Sequence, residues 1–195
     1  MRNYRLAVIL ILLFITSIAV QAFNNDISRR LEFKQINSLN GLPNDEVQKV
    51  FQDREGFMWF ATRYGLCKYD GYQVTTIQSD VYNPDLLTSN NIRCLGDDAD
   101  HNLWIGTFEG TNVLNKATGI VRKGSEIKAS NGNVSSILVS RDNTVGVSYD
   151  TCLYRYNVEA DSLEVVIDDG IDQLFFGPEN ELFEDSDGDI WIGSW

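Results

Sequence analysis

One seven-residue pattern returns along the chain at nearly constant spacing. Asp53-Arg54-Glu55-Gly56-Phe57-Met58-Trp59 precedes Phe60-Ala61-Thr62, and Asp98-Ala99-Asp100-His101-Asn102-Leu103-Trp104 precedes Ile105-Gly106-Thr107. Asp185-Ser186-Asp187-Gly188-Asp189-Ile190-Trp191 precedes Ile192-Gly193-Ser194. A degenerate copy, Val139-Ser140-Arg141-Asp142-Asn143-Thr144-Val145, lies between the second and the last. With anchors at Trp59, Trp104, Val145 and Trp191, the intervals are 45, 41 and 46 residues. A period in the forties means one supersecondary unit repeated, each copy burying its apolar face against its neighbours.

Within a unit the pattern is that of short strands. Val47–Gln52 is of strand length, and Ile92–Gly96 matches it one unit later. An Asp-led turn joins it to Met58–Thr62, because Asp side chains bond to their own backbone and Gly permits positive φ. Arg63-Tyr64-Gly65 leads into Leu66–Tyr69, and Asp70-Gly71 into Tyr72–Ile77. Asp-Gly between β-formers is a hairpin signal. Gly110–Asn115 and Cys152–Asn157 stand where Gly65–Asp70 stands in the first unit. Four antiparallel strands per unit make one blade of a β-propeller, so the expected fold is all-β, with about three and a half blades over residues 23–195. Only Pro43–Val47 hints at a helical turn, and a loop explains it as well. Phe33–Ile36 is expected as the outer strand of a closing blade.

Residues 1–22 have a different character. Arg2 and Arg5 precede an apolar run from Leu6 to Ala19, and Val20-Gln21-Ala22 supplies small residues for cleavage after Ala22. This is the order of a secretory signal peptide. The alternative, an uncleaved anchor, asks 14 residues to do the work of the ~20 that span a bilayer. Without residues 1–22 the chain keeps 14 basic against 28 acidic residues, a charge of −14. Such a surface repels phosphate backbones, so nucleic acid is not an expected partner. Cys67, Cys94 and Cys152 form no metal or redox spacing. One pair could close a disulfide outside the cytoplasm, with its connectivity open, and at least two are expected to act as small buried apolar residues.

Candidate chemistry is sparse. Trp59, Trp104 and Trp191 share one repeat position, which places them in the packing between blades rather than under a sugar, while Trp195 is off that position. Asp185–Asp189 resembles the start of a calcium loop but lacks the distal Glu, and the other copies explain it as a turn. His101, the single histidine, takes the position of Gly56 and Gly188 and is expected on an exposed turn. No catalytic, cofactor-binding or metal-binding residue is assigned and no cofactor is expected. The ligand-binding residues stay unassigned, with the loops after Gly110 and near Asn83–Asn91 as contributors.

The stretch Gly41–Val47, Phe51–Thr62 and Tyr64–Tyr72 resembles the two-component regulator propeller repeat, which builds the periplasmic sensor regions of Bacteroidetes-type hybrid two-component systems. The resemblance runs over roughly Phe33–Trp195, closest in the first unit and weakest in the third. It implies a longer architecture: further repeats, usually two propellers, then a β-sandwich, a membrane helix and a cytoplasmic histidine kinase. Many relatives add a receiver and a DNA-binding region. It also implies an oligosaccharide ligand derived from glycans, a homodimer in the full-length form and a position on the periplasmic side of the inner membrane. Since the fourth unit breaks off in a strand, the sequence is expected to be the N-terminal part of a longer sensor, non-catalytic in itself. A module that completes a ring with copies of itself is the lesser alternative. The rival functional classes are an extracytoplasmic propeller enzyme (a polysaccharide lyase or quinone-dependent dehydrogenase) and a secreted protein-binding scaffold.

Overall fold

Strands β1 (Val47–Gln52), β2 (Met58–Thr62), β3 (Gly65–Tyr69) and β4 (Val74–Ile77) form an antiparallel sheet in sequence order. Strands β5 (Ile92–Asp97), β6 (Asn102–Thr107), β7 (Gly110–Asn115) and β8 (Val121–Lys123) repeat it. So do β9 (Val134–Val139), β10 (Val145–Tyr149), β11 (Cys152–Asn157) and β12 (Ser162–Asp168). A hairpin of β13 (Glu181–Glu184) and β14 (Ile190–Gly193) begins a fourth copy. The computed structural model describes residues 33–83, 85–127, 129, 132–150, 152–168 and 180–193. The leader read over residues 1–22, and Trp195, lie outside the described residues. Residues 36–195 form one compact unit. No helix among the described residues is long and apolar enough to cross a membrane.

The three complete sheets are propeller blades, and their apolar faces meet to form the core. Trp59, Leu66, Leu95, Leu103 and Ile105 belong to one cluster, between the first and second blades. Trp104, Val113, Ile137, Val147, Tyr154 and Leu163 belong to another, between the second and third. The innermost strand of each complete blade carries a bulge at the same place, between Val47 and Lys49, Ile92 and Cys94, and opposite Ser148/Tyr149 in β9. A bulge adds an unpaired residue and re-aims its side chain. The bulge residues Gln48, Arg93 and Ser135 line the space at the centre of the inner strands, where Lys49 of β1 meets Glu181 of β13 at 3.6 Å.

Several local expectations need correction. Tyr72 and Gln73 are not in β4: the N–H groups of both donate to Asp70 Oδ1, at 2.8 Å each, so pairing starts only at Val74. Pro43–Val47 forms no helical turn; a short 3-10 turn stands earlier, at Ser38–Asn40, capped by Asn37. Phe33–Ile36 is not a strand, and Phe33 is exposed.

The largest correction concerns the third blade. Val139 pairs with Val145 as Gln52 pairs with Met58, so Ser140, not Val139, occupies the Asp position, and Gly146, not Val145, the Trp position. The turn bonds agree: Ser140 N donates to Thr144 O as Asp53 N does to Phe57 O. The structural anchors are therefore residues 59, 104, 146 and 191, separated by 45, 42 and 45 residues. The hydrophobic residues Val139 and Val145 draw the eye one place early because they flank the turn symmetrically.

Candidate functional site

Antiparallel connectivity gives each blade two ends. The Asp-led turns and the β3–β4 turns lie at one end, the capped face. The β2–β3 turns and the blade-to-blade crossovers lie at the other, the crossover face.

On the capped face the recurrent Asp is fully used by its own turn. Asp98 Oδ1 accepts the N–H groups of Asp100 and Asn102, each at 2.9 Å, and Oδ2 accepts the Trp104 indole N–H at 2.8 Å. Asp53 does the same for Glu55, Phe57 and Trp59, and Asp185 for Asp187, Asp189 and Trp191. Burial pushes the Asp53 carboxyl up, but the Trp59 indole, the turn N–H groups and Lys116 together hold it below the ordinary range. These bonds fix the orientation of the indoles. Trp59 and Trp104 are 2% and 1% exposed, in the core as expected. Trp191, expected in the same setting, is instead 62% exposed, since among the described residues no blade packs on its side of the hairpin. The calcium-like Asp185 therefore spends both oxygens on its turn and Trp191, and among the described residues no group of three or more His, Cys, Asp or Glu side chains has a metal-holding arrangement.

His101 adopts φ 62° in the place of Gly56 and Gly188, both at φ 92°, and its Nδ1 lies 3.1 Å from Glu55 Oε1 on an exposed edge. No disulfide joins the three cysteines; Cys67 and Cys94 are buried and Cys152 half-buried. Burial pushes the Cys94 thiol up to about 12, so it is an inert packing group.

The residue that sequence reasoning missed is Lys116. Its side chain is 3% exposed and its Nζ lies 2.7 Å from Asp97, 3.3 Å from Glu55 and 3.5 Å from Asp53. Burial depresses the ammonium pKa, but the carboxylates of Asp97, Asp53 and Glu55 raise it further, so it stands above the ordinary lysine value. The cluster ties the first blade to the second. A chain of smaller links runs on around the same face: Arg54 N donates to Asp97, Ala99 N to Asn143 and Arg141 N to Glu184.

On the crossover face a cleft of about 770 Å³ opens between the first crossover and the second blade, with Gly132 also in its lining. Its walls are Ser79–Val81 with Leu87 and Thr88 of the first crossover, Phe108 and Glu109 of the β6–β7 turn, and Lys123. The crossover is held in place by polar side chains. Asn90 accepts from Ser79 N at 2.7 Å, and buried Asn112 both accepts from Thr88 N at 2.9 Å and donates to its hydroxyl at 2.7 Å. The cleft thus combines an exposed aromatic face at Phe108 with Asp80, Thr88, Glu109 and Lys123. Of the two loops expected to contribute, the one over residues 83–91 supplies Leu87 and Thr88. The residues after Gly110 form β7, and the contribution comes from the turn just before it.

Three stretches of the sequence, residues 41–64, 86–109 and 178–195, match the family model described as two component regulator propeller. These three stretches carry the two-component regulator propeller repeat. The third blade escapes the match, in keeping with its lost Asp and Trp. The fold is similar to the extracellular domain of BT4673 of B. thetaiotaomicron, described as a hybrid two-component system, with TM-score 0.68 and 20% identity over 85% of this chain and 23% of that one. The corresponding domain of BT3049 from the same organism gives TM-score 0.52 and 19% identity, over 83% of this chain and 29% of that one. The chain thus spans less than a third of those sensor domains. The fold is also similar to virginiamycin B lyase from Staphylococcus aureus, with TM-score 0.55 and 13% identity over 77% of this chain and 50% of that one. No curated protein matches the sequence.

Proposed function

We propose that this chain is an extracytoplasmic, ligand-sensing propeller segment of a hybrid two-component regulator, non-catalytic in itself and responsive to glycan-derived oligosaccharides. The observation that carries the ligand class is the crossover-face cleft. It has the size of a small-molecule site, an aromatic surface on which a sugar ring can stack, and hydroxyl, carboxylate and ammonium groups for its hydroxyls. The repeat family and the sensor domains of similar fold support the placement outside the cytoplasm. Signalling would follow if oligosaccharide binds one arrangement of the longer chain, or of two such chains, better than the other. The enzyme reading keeps only the fold shared with a lyase, and the single histidine stands on the opposite face, paired with Glu55.

Calorimetric titration of the chain against a panel of plant and host oligosaccharides tests this reading. At least one is expected to bind saturably, and Phe108→Ala, at a half-exposed site that carries little of the fold, should weaken it about tenfold. Binding that ignores Phe108 would move the site elsewhere. Turnover of an oligosaccharide would overturn the non-catalytic reading.

A further inference from the structure

At the register position where Trp59 and Trp104 fill the space toward the next blade, the third blade has Gly146, and the Asp that would hold the indole is Ser140. Both members of the pair are replaced together. Between the third blade and the β13–β14 hairpin an apolar cavity of about 280 Å³ results. Leu138, Gly146 and Leu153 wall it on one side, and Leu182, Ile190 and Ile192 on the other.

Neither backbone conformation nor crowding requires glycine here. Gly146 is outside the left-handed region, and an added Cβ would meet Leu182 Cδ1 at 3.7 Å and the carbonyls of Leu138 and Tyr154 at 3.9 Å, ordinary contacts. Gly106 contrasts, because a Cβ there would collide with Cys94 Sγ. The aliphatic walls offer water few partners, and apolar cavities of about 150 Å³ are known to stay dry and take up benzene. At the edge of the cavity stands Ser140, whose hydroxyl oxygen can accept an N–H where the Asp carboxylate does in the other blades.

We propose that this seam is a binding site for a flat aromatic small molecule of indole size, its ring taking the volume that a tryptophan fills in the other blades. This site is separate from the crossover-face cleft, and its test does not depend on the oligosaccharide reading. Indole itself is the probe, titrated against the full chain by saturation-transfer NMR and calorimetry. Wild type should bind it saturably. Gly146→Trp should weaken binding at least about tenfold and raise the melting temperature, because the side chain now fills the cavity. If Trp is not accommodated at 146, Gly146→Val, which suits a strand and fills part of the same space, should weaken binding in the same direction. No saturable binding by wild type, or binding undiminished in both variants, would overturn the proposal.

Discussion

Asp98 holds together a turn, a strand and an interface with one carboxylate. Its two oxygens satisfy two backbone N–H groups and the indole of a tryptophan that is 1% exposed. Asp98→Ala leaves four donors without their acceptor, the Asn102 side-chain amide among them and the Trp104 indole deep in the core, and should cost about 2–4 kcal/mol by chemical denaturation. Asp185→Ala removes only the two backbone bonds and the indole bond, on an exposed turn where water replaces the acceptor, and should cost less in the same experiment. Equal losses at the two positions would contradict this account. At this scale the sequence shows the spacing of Asp and Trp but not the bond between them. Lys116 is invisible in it, because the corresponding positions of the other blades hold Gly71 and Val158, and nothing in the repeat announces an ion-pair centre.

Strands are the most legible level of the molecule. β1 and β2 fall where strand length and the Asp-led turn place them, and β11 falls at Cys152–Asn157 as the repeat requires. The one-residue slip in the third blade arose because its anchor had lost its chemistry. The count from the neighbouring strand could have found it: Gly65 and Gly110 stand six residues after Trp59 and Trp104, and six before Cys152 is Gly146. In β6 the packing leaves no room at all. A Cβ on Gly106 would lie 2.7 Å from Val134 Cγ1 of the next blade as well as overlapping Cys94 Sγ, both on inner strands that cannot easily withdraw. Gly106→Ala should therefore destabilise by about 1–3 kcal/mol, although Ala61 is accepted at the same position of the first blade. A melting temperature equal to wild type would show that the inner strands shift to make room.

Across the whole molecule the seams differ. The first is closed by Trp59 and the Lys116 cluster. The second is closed by Trp104 against the Tyr156 ring and by a 2.7 Å bond between Thr111 and Tyr149. The third lacks an indole and relies on Arg141, which donates to the Asp185 and Ser186 carbonyls. The Lys116 seam has a definite pH signature. Asp53, held against its burial by the Trp59 indole, the turn N–H groups and Lys116, and Glu55, held first by His101 and then by Lys116, titrate below their ordinary 3.8 and 4.5, so their contribution is present above those values and is lost as pH falls through the lowered ones. Lys116 titrates above its ordinary 10.5, so its contribution is complete below that value and is lost as pH rises through the raised one. The seam is thus expected to hold a plateau across neutral pH and to open at both extremes. Lys116→Met leaves Asp53, Glu55 and Asp97 without the ammonium buried among them, at a cost of about 3–5 kcal/mol at neutral pH. The variant also loses the lowering that Lys116 exerts on Asp53 and Glu55, so it should lose less stability than wild type on acidification. The alkaline decline assigned to Lys116 should also vanish. Unfolding free energies of both proteins across pH test the assignment, and parallel curves would show that the cluster does not govern the seam.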